Sequence, residues 1–393
     1  MADATPPPPG AVHASQAHDS AVAHVTGGAR YVDDVPEAPG TLHLAFGLAG
    51  DGHGRIVAMD LAAVRAAPGV VGVYTAADIP GANDVSPVFH DDQLFAEGEI
   101  LYPGQQLFAV AATSHRAARV AARLAKVEVE PLPALVSVEA ARAAGSLIED
   151  SQRMARGDAA AALTASPHRL TGELVVGGQE HFYLEGQAAL ATPGEQGHVH
   201  VLSSTQHPSE LQHLVAKVLG LTHADVTVEV RRMGGGFGGK ESQAAAYATA
   251  CALVAVKTGR PVKVRADRDD DFVMTGKRHD FVIRYDVGFD DAGRIEGIAF
   301  DLASRCGGTA DLSGAINDRA MFHSDNAYYF PAVEIVSHRM KTHTVSNTAF
   351  RGFGGPQGMI SIERVMDAIA ADRGLDPLAV RRVNFYGPGR DVT

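Results

Sequence analysis

Five glycines surround Phe237 in the run MGGGFGGKE, which spans Met233 to Glu241. The β-branched segment VTVEV precedes the run, and AAAYATACALVAVKT follows it up to Gly259. A strand, a glycine loop and the start of a helix together present backbone N–H groups to an anion. A plain tight turn would not need five glycines, each of which costs backbone entropy on folding. The stretch satisfies two common fingerprints. Gly234, Gly236 and Gly239 match the dinucleotide pattern GxGxxG, and Gly234 to Lys240 match the phosphate-loop pattern GxxxxGK. A phosphate loop wants a Ser or Thr hydroxyl directly after the Lys, and here Glu241 adds negative charge instead. A dinucleotide site wants an acid at the tip of the next strand, which Asp267 could supply. An NAD-binding oxidoreductase therefore stays open.

Three further stretches carry polar residues among small or aromatic ones: GGQEHFYLE from Gly177, SSTQHPSE from Ser203 and SNTAFRGFGGPQ from Ser346. Gln206 offers an uncharged amide donor, and Arg351 places a cation beside a second glycine cluster. His181 and Glu185 have the spacing of metal ligands on a helix, but the alternation around them is strand-like, so we read them as supporting residues. Cys251, in the apolar helix, reads as a small buried residue; with Cys306 it makes two cysteines, too few for a disulfide framework or a four-thiolate cluster.

The elements that must position these groups follow from patterning. The 393 residues suffice for two or three domains, and 46% hydrophobic with 20% charged residues is globular usage. The net charge of -12 argues against phosphate-tracking nucleic-acid binding and docking on an anionic membrane. The run Ala244 to Val256, broken by Thr249, is shorter than the ~20 residues a membrane span needs. MADATPPPPG has no basic start or apolar stretch, so we expect a cytoplasmic protein. Residues 1–22 read as a disordered lead-in whose histidines are weak as metal ligands. Residues 23–139 read as an α/β domain with Ser114 as an N-cap, 140–167 as a linker, and 168–393 as a second domain. Within the last, a hairpin turns at Asp290–Gly293, and Met359–Ala370 forms a helix with Ile360, Val365, Met366 and Ile369 inward.

The four motifs, in this order, resemble the molybdopterin-binding subunit of xanthine dehydrogenase, within the molybdenum hydroxylases. GARYVDDVP, AADIPG and VEPLPAL resemble that family's α/β hammerhead domain. The resemblance implies an α+β chain: a hammerhead domain followed by the first part of a molybdopterin-binding α/β domain. It implies a molybdenum-molybdopterin cofactor and oxidation of purines with water as oxygen source. Gln206, Gly236, Phe237, Gly238 and Arg351 match residues around the cofactor, with Gln206, Phe237 and Arg351 near molybdenum without being side-chain ligands. Glu241 and Arg319 match the polar pair that holds the purine, positions commonly uncharged in the related aldehyde oxidases. Phe353 matches an aromatic packed on the heterocycle. The family's subunit is longer, and its second half supplies the general base, so no catalytic base is expected in this chain. The 2Fe-2S clusters and FAD that carry electrons to NAD are expected on a partner chain. An inert remnant serving in assembly is the remaining alternative.

Overall fold

The computed structural model describes residues 15, 17–50 and 52–391. Most of the proposed lead-in therefore lies outside the described residues, although a short helix, Ala21–Thr26, begins within its end.

Three sheets organise the chain. The largest has seven strands, ordered Val226–Glu229, Val199–Ser203, Ala188–Pro193, Val262–Arg265, Leu42–Leu48, Gln106–Ala112 and Val70–Tyr74. Leu42–Leu48 pairs in parallel with Val262–Arg265. The sheet thus runs straight across the division placed between residues 139 and 168. Alternation within short segments reveals strands, not which distant strand each will pair with. The five-stranded sheet is ordered Leu147–Arg156, Val333–Lys341, Ile295–Gly307, Phe281–Phe289 and His168–Val176. Its first strand and the helix Ala159–Ala165 correct the reading of 140–167 as a linker. Leu147–Arg156 is an edge strand with no buried side chain, so it lacks the apolar signal that marks buried strands. A small third sheet joins Glu99–Ile100, Gly54–Asp60 and Lys126–Pro131.

Several sequence expectations match. Ser114 caps the helix His115–Ala122 by accepting the Ala117 N–H. Phe281–Phe289 and Ile295–Gly307 pair antiparallel around the turn at Asp290–Gly293. The late helix is longer than expected, Gly355–Arg373, because Pro356 in its first turn needs no N–H partner. Its inward face is Ile362, Val365, Met366 and Ile369. Ile360 is exposed, since the 3.6-residue period rotates it away from that face. The helix Ala244–Thr258 is buried on nearly all sides, and it packs the core of the seven-stranded sheet. Cys251 lies within it, donating Sγ–H to the Val262 carbonyl, and burial pushes its thiol up to about 12. Cys306 is also buried and free. Among the described residues, no helix is long and apolar enough to cross a membrane.

The segment after Ile79 clips the first part of the chain onto the helix Pro208–Leu219. The N–H groups of Gly81 and Ala82 donate to the Val218 and Lys217 carbonyls. Asp84 accepts from Lys217 Nζ at 2.5 Å, from the Ser86 N–H at 2.8 Å, and pairs with His90 Nδ1 at 2.7 Å. Burial alone would raise this carboxyl, but Lys217, Ser86 and His90 outweigh it and hold it down to about 2. A depressed carboxyl contributes stability above its unfolded value near 3.8, and loses it as pH falls toward the folded value. Asp84→Asn should therefore cost about 2 kcal/mol near pH 7 in urea unfolding, and the difference from the parent should shrink between about pH 5 and pH 2. A pH-independent difference would show that the carboxylate charge is not responsible.

Candidate cofactor and substrate site

The strand Val226–Glu229 delivers the chain to the glycine loop at the edge of the large sheet, and the loop returns it to the buried helix Ala244–Thr258. Phe237 has φ +55° with its ring 47% exposed. A left-handed non-glycine residue of this size stores strain of order 1–3 kcal/mol, and such strain concentrates at functional sites. Gly238, at φ +98°, must be glycine, because a Cβ there would stand 2.6 Å from the Ala349 carbonyl oxygen. The two glycine clusters therefore lie against each other, and the Arg351 N–H donates to the Phe237 carbonyl at 2.8 Å.

Gln206 sits behind the loop. A Cβ on Gly236 would stand 2.5 Å from its Oε1, so only glycine allows this approach. Oε1 accepts from the Gly238 N–H at 2.8 Å and the Lys240 N–H at 3.3 Å. Two donors on one atom fix which end of the amide is oxygen, leaving the NH₂ as a free donor at the surface. Within the loop, Gly234, Gly238, Gly239, Lys240 and Glu241 all spend their N–H groups on protein acceptors. The three consecutive N–H groups of Gly235, Gly236 and Phe237 have no partner among the described residues.

Phe237 and Arg351 line an open cavity of about 570 Å³, together with Gln179, His181, Arg278 and Phe350. The Arg351 guanidinium is exposed and makes no ion pair among the described residues. Arg278 spans the floor: it donates to the Arg351 carbonyl at 2.9 Å, and its guanidinium lies 3.9 Å over the Phe350 ring. His181 is 7% exposed and pairs through Nε2 with the Ala349 carbonyl at 2.7 Å; burial lowers its imidazole, outweighing that bond, which favours the charged form. His181 and Glu185 hold loops in place, as supporting residues would, but they lie on an irregular segment and not on the strand that the alternation suggested.

Glu241 follows the glycine loop, Phe353 lies in the second cluster, and Arg319 lies on the helix packed against that cluster; none of the three lines the 570 Å³ cavity. Phe353 has φ +49°, and its N–H donates to the Phe350 carbonyl. Arg319 lies in the last turn of the helix Ser313–Phe322, exposed, with its Nε 3.8 Å from where a Cβ on Gly355 would stand. No hydrogen bond or ion pair joins Glu241 to Arg319, and Glu241 is not a helix cap, so neither ordinary structural role accounts for the pair. Burial, then Asp311, raises the Glu241 carboxyl. Sequence reasoning missed Asp311, buried among small residues. It accepts from Ser242 Oγ, Gln243 Nε2 and Thr348 Oγ1, tying the end of the glycine loop to the irregular segment that begins the second cluster. It missed Arg278 too, since an arginine between a turn and a strand carries no local signal.

Neither nucleotide fingerprint survives the geometry. Lys240 is fully buried against Glu185, where it cannot reach a phosphate. The strand after the helix, Val262–Arg265, does not neighbour Val226–Glu229, and the antiparallel Ala188–Pro193 lies between them. Asp267 is engaged by Arg119 and Arg265.

The profile of the molybdopterin cofactor-binding domain matches residues 142–385. The chain belongs to this family. The aldehyde oxidase and xanthine dehydrogenase a/b hammerhead domain matches residues 26–133. The chain is 40% identical to the xanthine dehydrogenase of Oryza sativa subsp. japonica over 376 residues, which are 95% of this chain and 28% of that protein. It is also 40% identical to the xanthine dehydrogenase/oxidase of Gallus gallus, over 96% of this chain and again 28% of that protein. The chain thus spans under a third of these relatives. Among solved structures, the aldehyde oxidoreductase from Desulfovibrio gigas is similar with a TM-score of 0.86 and 28% identity, over 95% of this chain and 43% of that one. Quinoline 2-oxidoreductase from Pseudomonas putida 86 gives 0.85 and 25%, over 95% and 50%. The free N–H groups, the Gln206 amide and the Arg351 guanidinium suit the anionic, oxygen-rich group that a molybdopterin-binding domain takes.

A carboxyl raised by burial destabilises the fold once it ionises: its contribution is intact below the unfolded value near 4.5 and lost as pH rises through the folded one. Glu241→Gln should therefore raise the melting temperature by about 1–2 °C near pH 7, and leave it unchanged near pH 4. A loss of stability near pH 7 would mean that Glu241 has a structural partner.

Proposed function

We propose that this chain is the part of a purine-oxidising molybdenum hydroxylase that carries the hammerhead domain and the first half of the cofactor cradle. The observation that carries this reading is the row of three N–H groups without a partner among the described residues, followed four residues on by Glu241, which forms no hydrogen bond or ion pair there, with Arg319 likewise unpaired on the helix packed against the second glycine cluster. Gln206, the amides around Gly236, Phe237 and Gly238, and Arg351 would hold the molybdenum-molybdopterin. When bound, that cofactor supplies the two-electron oxidation with oxygen taken from water. Phe353 gives a flat purine an aromatic surface. Arg319 donates to the purine's carbonyl oxygen, where negative charge accumulates as the ring is attacked, and so acts on the transition state. Glu241, with a raised pKa, can donate to or accept from ring nitrogens and orients the ring. The base that activates the oxygen nucleophile belongs to the remainder of the subunit. Iron-sulfur clusters and FAD on a partner chain would take the electrons, in the cytoplasm.

Two outcomes follow. The isolated chain should turn over no xanthine, because proton abstraction alone is typically worth ~10² to 10⁴ in rate and the chain holds no matching base. Steady turnover by this polypeptide alone would contradict the proposal. In a complex that restores the rest of the subunit, Arg319→Met should lower kcat for xanthine by roughly 10² or more. An aromatic aldehyde lacks the distal carbonyl, so Glu241→Val with Arg319→Met should spare or improve its turnover. The readout is the ratio of kcat/KM for the two substrates; equal losses would make the pair structural.

A further inference from the structure

Lys240 and Glu185 are a buried pair that the proposed chemistry does not use. The Lys240 side chain is fully buried and that of Glu185 is 10% exposed, with 3.0 Å between Nζ and Oε2. Burial lowers the Lys240 ammonium, partly offset by Glu185, and the ammonium sits 4.7 Å from the centre of the Tyr183 ring. Replacing such an ion pair with apolar residues often leaves stability unchanged or improves it, so stability alone is a weak reason for it. Its placement offers another. The same Glu185 Oε2 accepts the Gly234 N–H at 2.8 Å, while the Glu185 N–H donates to the Gly234 carbonyl at 3.2 Å. One carboxylate oxygen thus grips the first glycine of the loop and, through the ammonium, the residue that follows the last. On the other side, the Lys240 N–H shares Gln206 Oε1 with the Gly238 N–H, and the Lys240 carbonyl accepts the Gln206 N–H at 2.8 Å. Gln187 Nε2 adds a bond to the Gly239 carbonyl at 2.9 Å. Among the described residues the loop's own N–H groups are bonded only at its ends; between them the Phe237 carbonyl accepts the Arg351 N–H and the Gly236 carbonyl accepts the Gly239 N–H, and the N–H groups of Gly235 to Phe237 stay free.

We propose that Glu185 and Lys240 are positioning residues: their buried ion pair closes the base of the glycine loop and thereby fixes where Gly235, Gly236 and Phe237 point their free N–H groups and where Gln206 points its amide. The functional half of this inference rests on the reading of the loop as part of the cofactor cradle; the mechanical half does not. A five-glycine loop has large conformational freedom, and a fixed row of donors requires that freedom to be removed, which bonds at the loop's ends do without engaging the three N–H groups themselves.

The test compares K240M with the double variant E185Q/K240M in this chain, reading amide hydrogen exchange and thermal midpoint together. K240M strands a buried carboxylate and should lose stability, whereas the double variant carries neither charge and should recover most of the midpoint. If the pair only stabilises the fold, exchange recovers with it. The clamp instead predicts that the Gly238 and Lys240 amides, which bond to Gln206 and not to Glu185, still exchange about tenfold faster in the double variant. Parent-like exchange at these two amides overturns the proposal. Should K240M fail to fold, the double variant carries the test by itself. The second readout is molybdenum per chain in the assembled enzyme carrying the double variant. A fall supports the functional half, and unchanged metal with accelerated exchange overturns that half while the clamp stands.

Discussion

The contact between the two glycine clusters is the constraint on which the site depends. Gly238 lies against the Ala349 backbone so closely that no side chain fits, and the Arg351 N–H closes the contact on the Phe237 carbonyl. One cluster comes from the edge of the seven-stranded sheet, and the other from the start of a helix that packs on the five-stranded sheet. Their meeting brings Phe237 and Arg351 to a common cavity, while Glu185 and Gln206 take up N–H groups at the ends of the loop and the middle three have no partner among the described residues. Strain at Phe237 and Phe353 is carried by these contacts, not relieved by them.

Electrostatics around this junction run against the composition of the chain. The net charge is -12, yet the cavity is lined by Arg278, Arg351 and Phe237, whose N–H has no partner among the described residues. The nearby acids are kept from cancelling that field. Asp311 is buried and saturated by Ser242, Gln243, Thr348 and the Leu312 N–H, and Glu185 is committed to Lys240 and Gly234. Glu241, directly after the loop, forms no hydrogen bond or ion pair through its carboxyl among the described residues, and burial favours its neutral form. That combination suits a group meant to meet a polar ring, and it is an expensive one to keep in a fold without a ligand.

Local chemistry was legible in the sequence wherever it depended on neighbours along the chain. The glycine run, the helix that ends at Gly259, the Ser114 cap and the hairpin at Asp290–Gly293 all follow from spacing and turn residues. What the sequence concealed is set by distant pairing. Leu147–Arg156 looked like a linker because an edge strand with no buried side chain has no apolar alternation, and Ile360 looked inward until the helix phase was fixed by its packing. The match to the phosphate-loop pattern misled for a similar reason. Nothing near Lys240 in sequence announces that Glu185, far upstream, will bury and neutralise it. Asp311 and Arg278 act through contacts made only once the loops are assembled.

The account's central claim is that the two glycine clusters form one cradle for an anionic cofactor. Amide hydrogen exchange of the assembled enzyme, compared with and without molybdopterin, tests this most directly. On loading, the amides of segments 236–241 and 346–356 should gain protection together, while those of Asp33, Arg265 and Arg268, which line a separate cavity with Met233 to Gly235, stay unchanged. Protection at Asp33, Arg265 and Arg268, with segments 236–241 and 346–356 unaffected, would contradict this.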